Sequence, residues 1–318
     1  MKGSLSTRRT SFSPKKKSTL FRRVRRNWGL YLLLLPALIL LICFSYKPMY
    51  GVLIAFKNFR PAEGIMGSAW ADPWYKYLKK YFDSYQFIST LKNTLTITIY
   101  QLLTFPIPII LALGINQLKE GRYKKVFQTV TYMPHFISTV VMVGLLILLL
   151  SPGSGLLGAI SKALGFKAPN LMGNAGAFKH LYVWSDVWQH TGWDSIIYLA
   201  ALSGIDPSLY EAATVDGASK LQRMRYVDIP MLMPTAMIML IMRVGNIMSL
   251  GFEKVYLMQN NLNISASEII STYVYKIGVI DTQYSYSAAI NLFSTVINFI
   301  LLISVNQISK KLSDNSLW

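Results

Sequence analysis

The chain has 318 residues, with 32 Lys and Arg against 14 Asp and Glu, and a formal net charge of +18. Hydrophobic residues make up 53% and charged residues 14%, against about 25% charged in an ordinary soluble domain. A soluble fold so poor in charge would expose large apolar patches, and a disordered chain would be far less apolar, so the composition points to an integral membrane protein, which the apolar spans below make an all-α one.

The first 28 residues hold ten Lys and Arg and no acid, and an apolar run follows. That order also describes a signal peptide, but Ser45-Tyr46-Lys47-Pro48 offers no small-residue cleavage site, so the run is read as an uncleaved first span. Residues 1–28 then form a basic cytoplasmic tail that resists translocation and meets anionic membrane lipid. Nucleic acid is the less economical partner for cations beside a span. A helix needs about 20 mostly apolar residues to cross a bilayer. Six stretches are read as spans: Leu30–Tyr46, Asn93–Asn116, Thr129–Leu150, Leu181–Ser203, Met231–Leu250 and Ser287–Asn306. Pro106 and Pro108 should kink the second.

With the tail inside, the cytoplasmic pieces are 1–28, 117–128, 204–230 and 307–318. They hold 19 Lys and Arg in 79 residues, whereas the outer loops 47–92, 151–180 and 251–286 hold 12 in 112. This twofold density follows the positive-inside rule and places both termini in the cytoplasm. Loop 47–92 is rich in aromatics (Trp70, Trp74, Tyr75, Tyr77, Tyr81, Phe82, Tyr85), which suits the headgroup level. Loop 151–180 reads from Leu156 to Leu164 as a short amphipathic helix on the outer surface. Cys43 is the single cysteine. His135, His180 and His190 lack metal-ligand spacing, and no Gly-x-x-x-x-Gly-Lys phosphate loop occurs.

Loop 204–230 carries the most ordered local chemistry. Pro207 suits a first helical position after Asp206; alternatively, Ser208 and Glu211 form a capping box. Leu209, Ala212 and Ala213 give a small apolar face, and Gly217 falls where a left-handed turn would end the helix. A second, basic helix over Ala218–Val227 should stop at Ile229-Pro230. Without a partner this would be a capped amphipathic helix on the membrane surface.

Glu211-Ala212-Ala213, three residues, Gly217, nine residues and Val227-Asp228-Ile229-Pro230 resemble the EAA loop of importer-type ABC permeases. Asp216-Gly217-Ala218 is similar to the maltose-type sugar-permease branch. Phe252–Leu257 followed by Ser271–Tyr275 resembles the loop after the fifth span in oligosaccharide and polysaccharide permeases. Asn260-Asn261-Leu262 stands where that loop has Gly-Gly-Pro, which points to complex saccharides rather than simple maltose. The resemblance implies a type I ABC importer permease fold in a bacterial plasma membrane: a six-span domain over 29–306, with tails 1–28 and 307–318. It also implies a second, homologous permease subunit and an extracytoplasmic solute-binding protein. Separate ATPase subunits would bind the ATP and dock on 204–230 at Glu211, Ala212, Ala213, Asp216 and Gly217. The chain itself would then hold no cofactor and catalyse nothing.

The fourth stretch contains Trp184, Asp186, Trp188, Gln189, His190, Trp193 and Asp194. Sugars stack their C–H faces on aromatic rings and bond their hydroxyls to polar side chains, so Trp184, Trp188, Gln189, Trp193 and Asn246 are candidate path residues. Trp184 and Trp188 suit an interfacial belt equally well. Tyr132, His135 and Asn291 suit interhelical hydrogen bonds. Asp186, His190 and Asp194 share one helix face. The simpler reading pairs Arg243 with one of these acids inside the bundle; the rival makes them the proton relay of a secondary transporter.

Overall fold

The structure, a computed structural model, describes residues 26–313. It divides into two units, 1–52 and 53–318. In the first, α1 (Trp28–Leu41) runs into a π turn at Ile42–Tyr46, and no residue of either is buried. An all-round apolar, exposed helix is what lipid solvates and water does not.

Among its described residues the second unit is mainly helical. An isolated bridge pairs Lys57 with Trp70 around a short turn of helix at Gly64–Gly67, and there follow α2 (Lys76–Phe82), α3 (Tyr85–Leu103), α4 (Pro106–Asn116), α5 (Arg122–Tyr132), α6 (Thr139–Leu149), α7 (Leu156–Ala163), α8 (Ala175–Ser203), α9 (Pro207–Val215), α10 (Lys220–Arg223), α11 (Ile229–Gly245), α12 (Phe252–Met258), α13 (Ile264–Ser267), α14 (Ile270–Tyr275) and α15 (Tyr284–Ser313). Four helical stretches are long and apolar enough to cross a membrane: Trp28–Phe56, Tyr85–Asn116, Lys220–Gly245 and Tyr284–Lys311. The pair α5–α6 makes a fifth if counted as one bent span. At 29 residues, α8 is about 43 Å long, enough to cross, but its acids, histidine and glutamine keep it below the same apolarity.

Two of the expected spans change in detail, and a third is interrupted beside its prolines. The break in the second stretch falls at Thr104 and Phe105, between α3 and α4. The carbonyls that Pro106 and Pro108 leave free are taken by tightened turns, Phe105 N–H on Leu102 O at 3.0 Å and Ile107 N–H on Thr104 O at 3.0 Å. The third stretch, expected as one helix over Thr129–Leu150, is instead bent by 96°. Pro134 begins a tight turn at Met133–Phe136, Ile137 is extended, and Ser138 caps α6 by accepting from Val141 N–H. The fifth ends at Gly245 rather than Leu250. Beyond it, Asn298 of α15 accepts from Met248 N–H at 2.9 Å and donates to Ser249 Oγ at 2.8 Å, holding a non-helical turn.

Side chains gather in three cores. One joins Phe178, Tyr182 and Val183 of α8 to Val255, Met258 and Ile269 of the 251–286 loop. A second sets Tyr81 among Ile270, Val274, Tyr286 and Ile290. A third packs Ala112, Leu113, Tyr198, Leu202, Ile205 and Leu232 beside loop 204–230. Of the aromatics assigned to the headgroup level, Trp70, Trp74, Tyr75, Phe82 and Tyr85 are exposed, but Tyr81 is wholly buried. It bonds Thr90 at 2.8 Å and meets Phe87 and Phe293 edge-on, and burial pushes its hydroxyl up to about 12. The amphipathic helix α7 has its leucine face exposed, at Leu156 and Ile160, and buries Gly158 and Ser161.

Candidate functional site

Loop 204–230 is built by local chemistry. Asp206, not Ser208, caps α9: its carboxylate accepts from Ser208 N–H at 2.9 Å, with Pro207 at the first helical position. That bond holds the Asp206 carboxyl below its ordinary range. Glu211 therefore sits mid-helix and caps nothing. Its carboxylate is exposed and, among the described residues, makes no hydrogen bond or ion pair. Gly217 ends α9 at φ +74° with open space around it. Ala218 N–H reaches Ala213 O at 2.9 Å and Gly217 N–H reaches Thr214 O at 3.1 Å, the paired bonds of a Schellman ending. No residue of α9 is buried, and Val215 is 88% exposed. A helix so well ended at both termini, yet mostly uncovered, presents most of its side chains outward.

The second cytoplasmic helix does not stop at Pro230. Ser219 and Gln222 form a reciprocal capping box before α10. The chain then passes through a π turn at Met224–Asp228 straight into α11. Pro230 cannot donate and its ring crowds a carbonyl one turn back; the wider winding absorbs both demands. Asp228 is fully buried there. Its Oδ1 accepts from Tyr210 of α9 at 2.5 Å and its Oδ2 from Gln117 Nε2, at the end of α4, at 3.1 Å. Burial and the Asp228 carboxylate together push the Tyr210 hydroxyl up to about 12.

A cavity of about 450 Å³ lies between α3, α8 and α11, lined by Gln101, Asp186, Arg243, Asn246 and Ser249 among others. Asp186 pairs with Lys254 Nζ at 3.4 Å, lies 3.2 Å from His190 Nδ1, and accepts from Gln101 Nε2 at 3.0 Å. The side chain of Arg243, expected to pair with an acid, makes no ion pair or hydrogen bond among the described residues. It borders both this cavity and one of about 210 Å³ that holds Asp194. Arg243 therefore faces Asp194 electrostatically, but no carboxylate among the described residues comes within ion-pair distance of its guanidinium.

Residues 104–314 match the family described as binding-protein-dependent transport system inner membrane component. The chain belongs to this family. The permease is 38% identical over 296 residues to Protein LplB of Bacillus subtilis, covering 93% of this chain and 92% of that protein. It is 37% identical over 305 residues to the polygalacturonan/rhamnogalacturonan transport system permease protein YteP of the same organism, covering 96% and 94%. Its fold is similar to a chain of a bacterial alginate ABC transporter solved in complex with an alginate pentasaccharide-bound periplasmic protein. There the TM-score is 0.85 at 34% identity, covering 94% of the permease and 100% of that chain. The permease is thus an all-helical, multi-pass inner-membrane protein.

The residues picked from sequence as path candidates divide within the permease. Asn246 lines the polar cavity, although its Nδ2 donates to Met242 O at 2.9 Å. Trp184 and Trp188 instead border an apolar hollow of about 470 Å³ with Met142, Leu145, Leu146 and Leu149 of α6. Two residues of helix from Asp186 is over half a turn, so they face away from it. Gln189 is buried and donates to Ile137 O at 2.7 Å, supplying the carbonyl left bare by the bend before α6. Trp193 stacks on His135 at 4.4 Å. Gly192 makes that contact reachable, because a Cβ there would meet Thr131 O at 2.0 Å. Sequence reasoning missed Gln101, Lys254, Tyr210 and Asp228. Asp228 and Lys254 lie inside stretches that carried the resemblance, where an unexpected charge in an apolar pattern was the available signal.

Proposed function

We propose that this permease forms half of the translocation path of an ATP-driven importer for oligosaccharides or polysaccharide fragments, with loop 204–230 as its coupling element. Six spans cross the membrane within 29–306: the four apolar stretches, the bent α5–α6 pair, and α8, whose polar groups face the bundle. Residues 1–28, which lie outside the described residues apart from their last three, and 307–318 are cytoplasmic tails. A homologous permease supplies the other half of the path, and an extracytoplasmic binding protein delivers the solute. Separate ATPase subunits bind ATP and dock on Glu211, Ala212, Ala213, Asp216 and Gly217. Family membership removes the support for a proton-coupled secondary transporter.

The observation that carries this reading is α9 itself: a short helix with both ends satisfied, no buried residue and a free carboxylate. The solute class is supported by the polysaccharide substrates named for YteP and for the alginate transporter, and by Arg243, which borders the cavity with no ion-pair contact among the described residues. A guanidinium in a confined site selects carboxylate partners, so acidic saccharides are favoured. The path follows Gln101, Asp186, Arg243 and Asn246, while Trp184 and Trp188 meet lipid or the second permease. The test is purification of the tagged permease from its native membrane, followed by reconstitution with the proteins that copurify. An ATPase subunit and a second permease should come with it, and loaded binding protein should stimulate ATP hydrolysis. A permease that purifies without any ATPase subunit refutes the reading.

A further inference from the structure

We propose that Asp228 is a positioning residue for coupling: through Tyr210 and Gln117 its carboxylate locks the docking helix α9 to the ends of the membrane helices α4 and α11, so that the three move as one lever. The inference rests on the reading of 204–230 as the ATPase-docking loop.

Three observations carry it. First, α9 has no buried residue, so little apolar packing fixes its angle; Tyr210 is its main attachment, with its ring against the core of Leu202, Ile205 and Leu232. Ring packing alone permits sliding and rotation, whereas a hydrogen bond from the ring's far end fixes both distance and direction. Second, the acceptor is a wholly buried carboxylate with no salt bridge among the described residues. Arg223, the cation of the same loop that faces Tyr210, donates to Thr214 Oγ1 instead. A buried charge persists only when its hydrogen bonds are made, and here each oxygen takes one from a different element. Losing either partner would leave that oxygen bare, so α9 and α4 cannot part without exposing the cost. Third, Asp228 closes the π turn that runs directly into α11. Nothing compliant separates the carboxylate from that span. A plain connector between two spans would need none of these bonds.

The test uses the complete reconstituted complex and reads uptake per ATP hydrolysed in the presence of loaded binding protein. Tyr210→Phe keeps the ring and removes only the hydroxyl; Asp228→Ala removes both bonds. Each should lower uptake per ATP about tenfold, within the usual range of coupling between distant sites, while the ATPase subunits still copurify in wild-type amounts. The double variant should be no worse than Asp228→Ala, since the bond lost in Tyr210→Phe is already lost in Asp228→Ala. Asp228→Asn, whose carbonyl oxygen can still accept from Tyr210, should recover most of the loss. Wild-type uptake per ATP in Tyr210→Phe and Asp228→Ala overturns the proposal. So does a loss of uptake that follows loss of ATPase subunits in every variant, because the role would then be structural. If Asp228→Ala does not assemble, Tyr210→Phe decides alone. Failure of the wild-type permease to bind any ATPase subunit removes the docking reading, and this inference with it.

Discussion

Loops 251–286 and 204–230 are both ordered without forming spans of their own, and they reach that order by opposite means. In the first, polar side chains are consumed internally. Asn263 is fully buried and donates to Met172 O at 2.9 Å and Met258 O at 3.0 Å, while its own oxygen accepts from Ser267 Oγ at 2.9 Å. Lys276 pairs with Glu268 at 2.8 Å, and Lys254 with Asp186. In the second, capping residues and a Schellman ending satisfy the backbone locally, Tyr210 anchors α9, and Leu209, Glu211, Ala212 and Val215 remain exposed. Tertiary burial yields a fixed wall; local capping yields a rigid but uncommitted surface. Only the latter can be handed to a partner without first being taken apart.

Four substitutions would break or sharpen this contrast. The largest effect on stability is expected inside the wall. Asn263→Leu strips partners from Met258 O and Ser267 Oγ, at about 1–3 kcal/mol for each buried group left unsatisfied. The melting temperature of the purified complex should fall clearly; an unchanged value would mean the loop is held by apolar packing alone. Next comes Gly217→Val. Holding a side chain at φ +74° costs about 1–2 kcal/mol, and more for a β-branched residue. Insertion into the membrane should persist, while ligand-stimulated ATP hydrolysis and uptake in proteoliposomes are lost. Wild-type stimulation would remove α9 as a coupling element.

Glu211→Ala should leave melting unchanged, because no partner within the described residues is lost. It should instead lower stimulated hydrolysis severalfold, on the scale of about 1 kcal/mol for a charge-assisted contact at a partner surface. Equal losses in melting and stimulation would contradict the free-surface description. The smallest effect belongs to Asp206. Its carboxyl is held below its ordinary value, so its capping contribution is full above about pH 4 and fades as pH falls through the lowered value. Hydrogen exchange of the α9 amides should rise over that acid window. Asp206→Asn should cap equally well and abolish the pH dependence.

Much of this was legible in the chain itself. Gly217 announced its left-handed turn because it is the one glycine after Pro207 in that loop, and Pro106 and Pro108 announced the interruption beside them. The bend before α6 was not legible as such. Pro134 was visible, but an apolar run from Thr129 to Leu150 looks the same straight or folded, and the compensating donor, Gln189, is over 50 residues away in the chain. The same limit hid the pairing of Asp186. Its helical spacing brought His190 to notice, whereas Lys254 comes from another loop and only tertiary packing brings it near. Tyr81 read as an interfacial aromatic because composition cannot say which ring of a cluster turns inward.

The π turn at Met224–Asp228 has a consequence for phase. Each residue advances an α-helix by about 100° and 1.5 Å, and the turn fits one more residue into the 26-residue stretch Lys220–Gly245 than regular winding would hold. If the same chain annealed into an unbroken α-helix, everything beyond Asp228 would rotate by about 100° relative to α10, and Arg243 would swing off the cavity it borders. Deleting one residue between Met224 and Val227 while letting the helix become regular would, by contrast, keep both ends in step. The bulge works as a keyway: it sets the angle at which the cytoplasmic end and the membrane chamber of a single helix are clocked to one another.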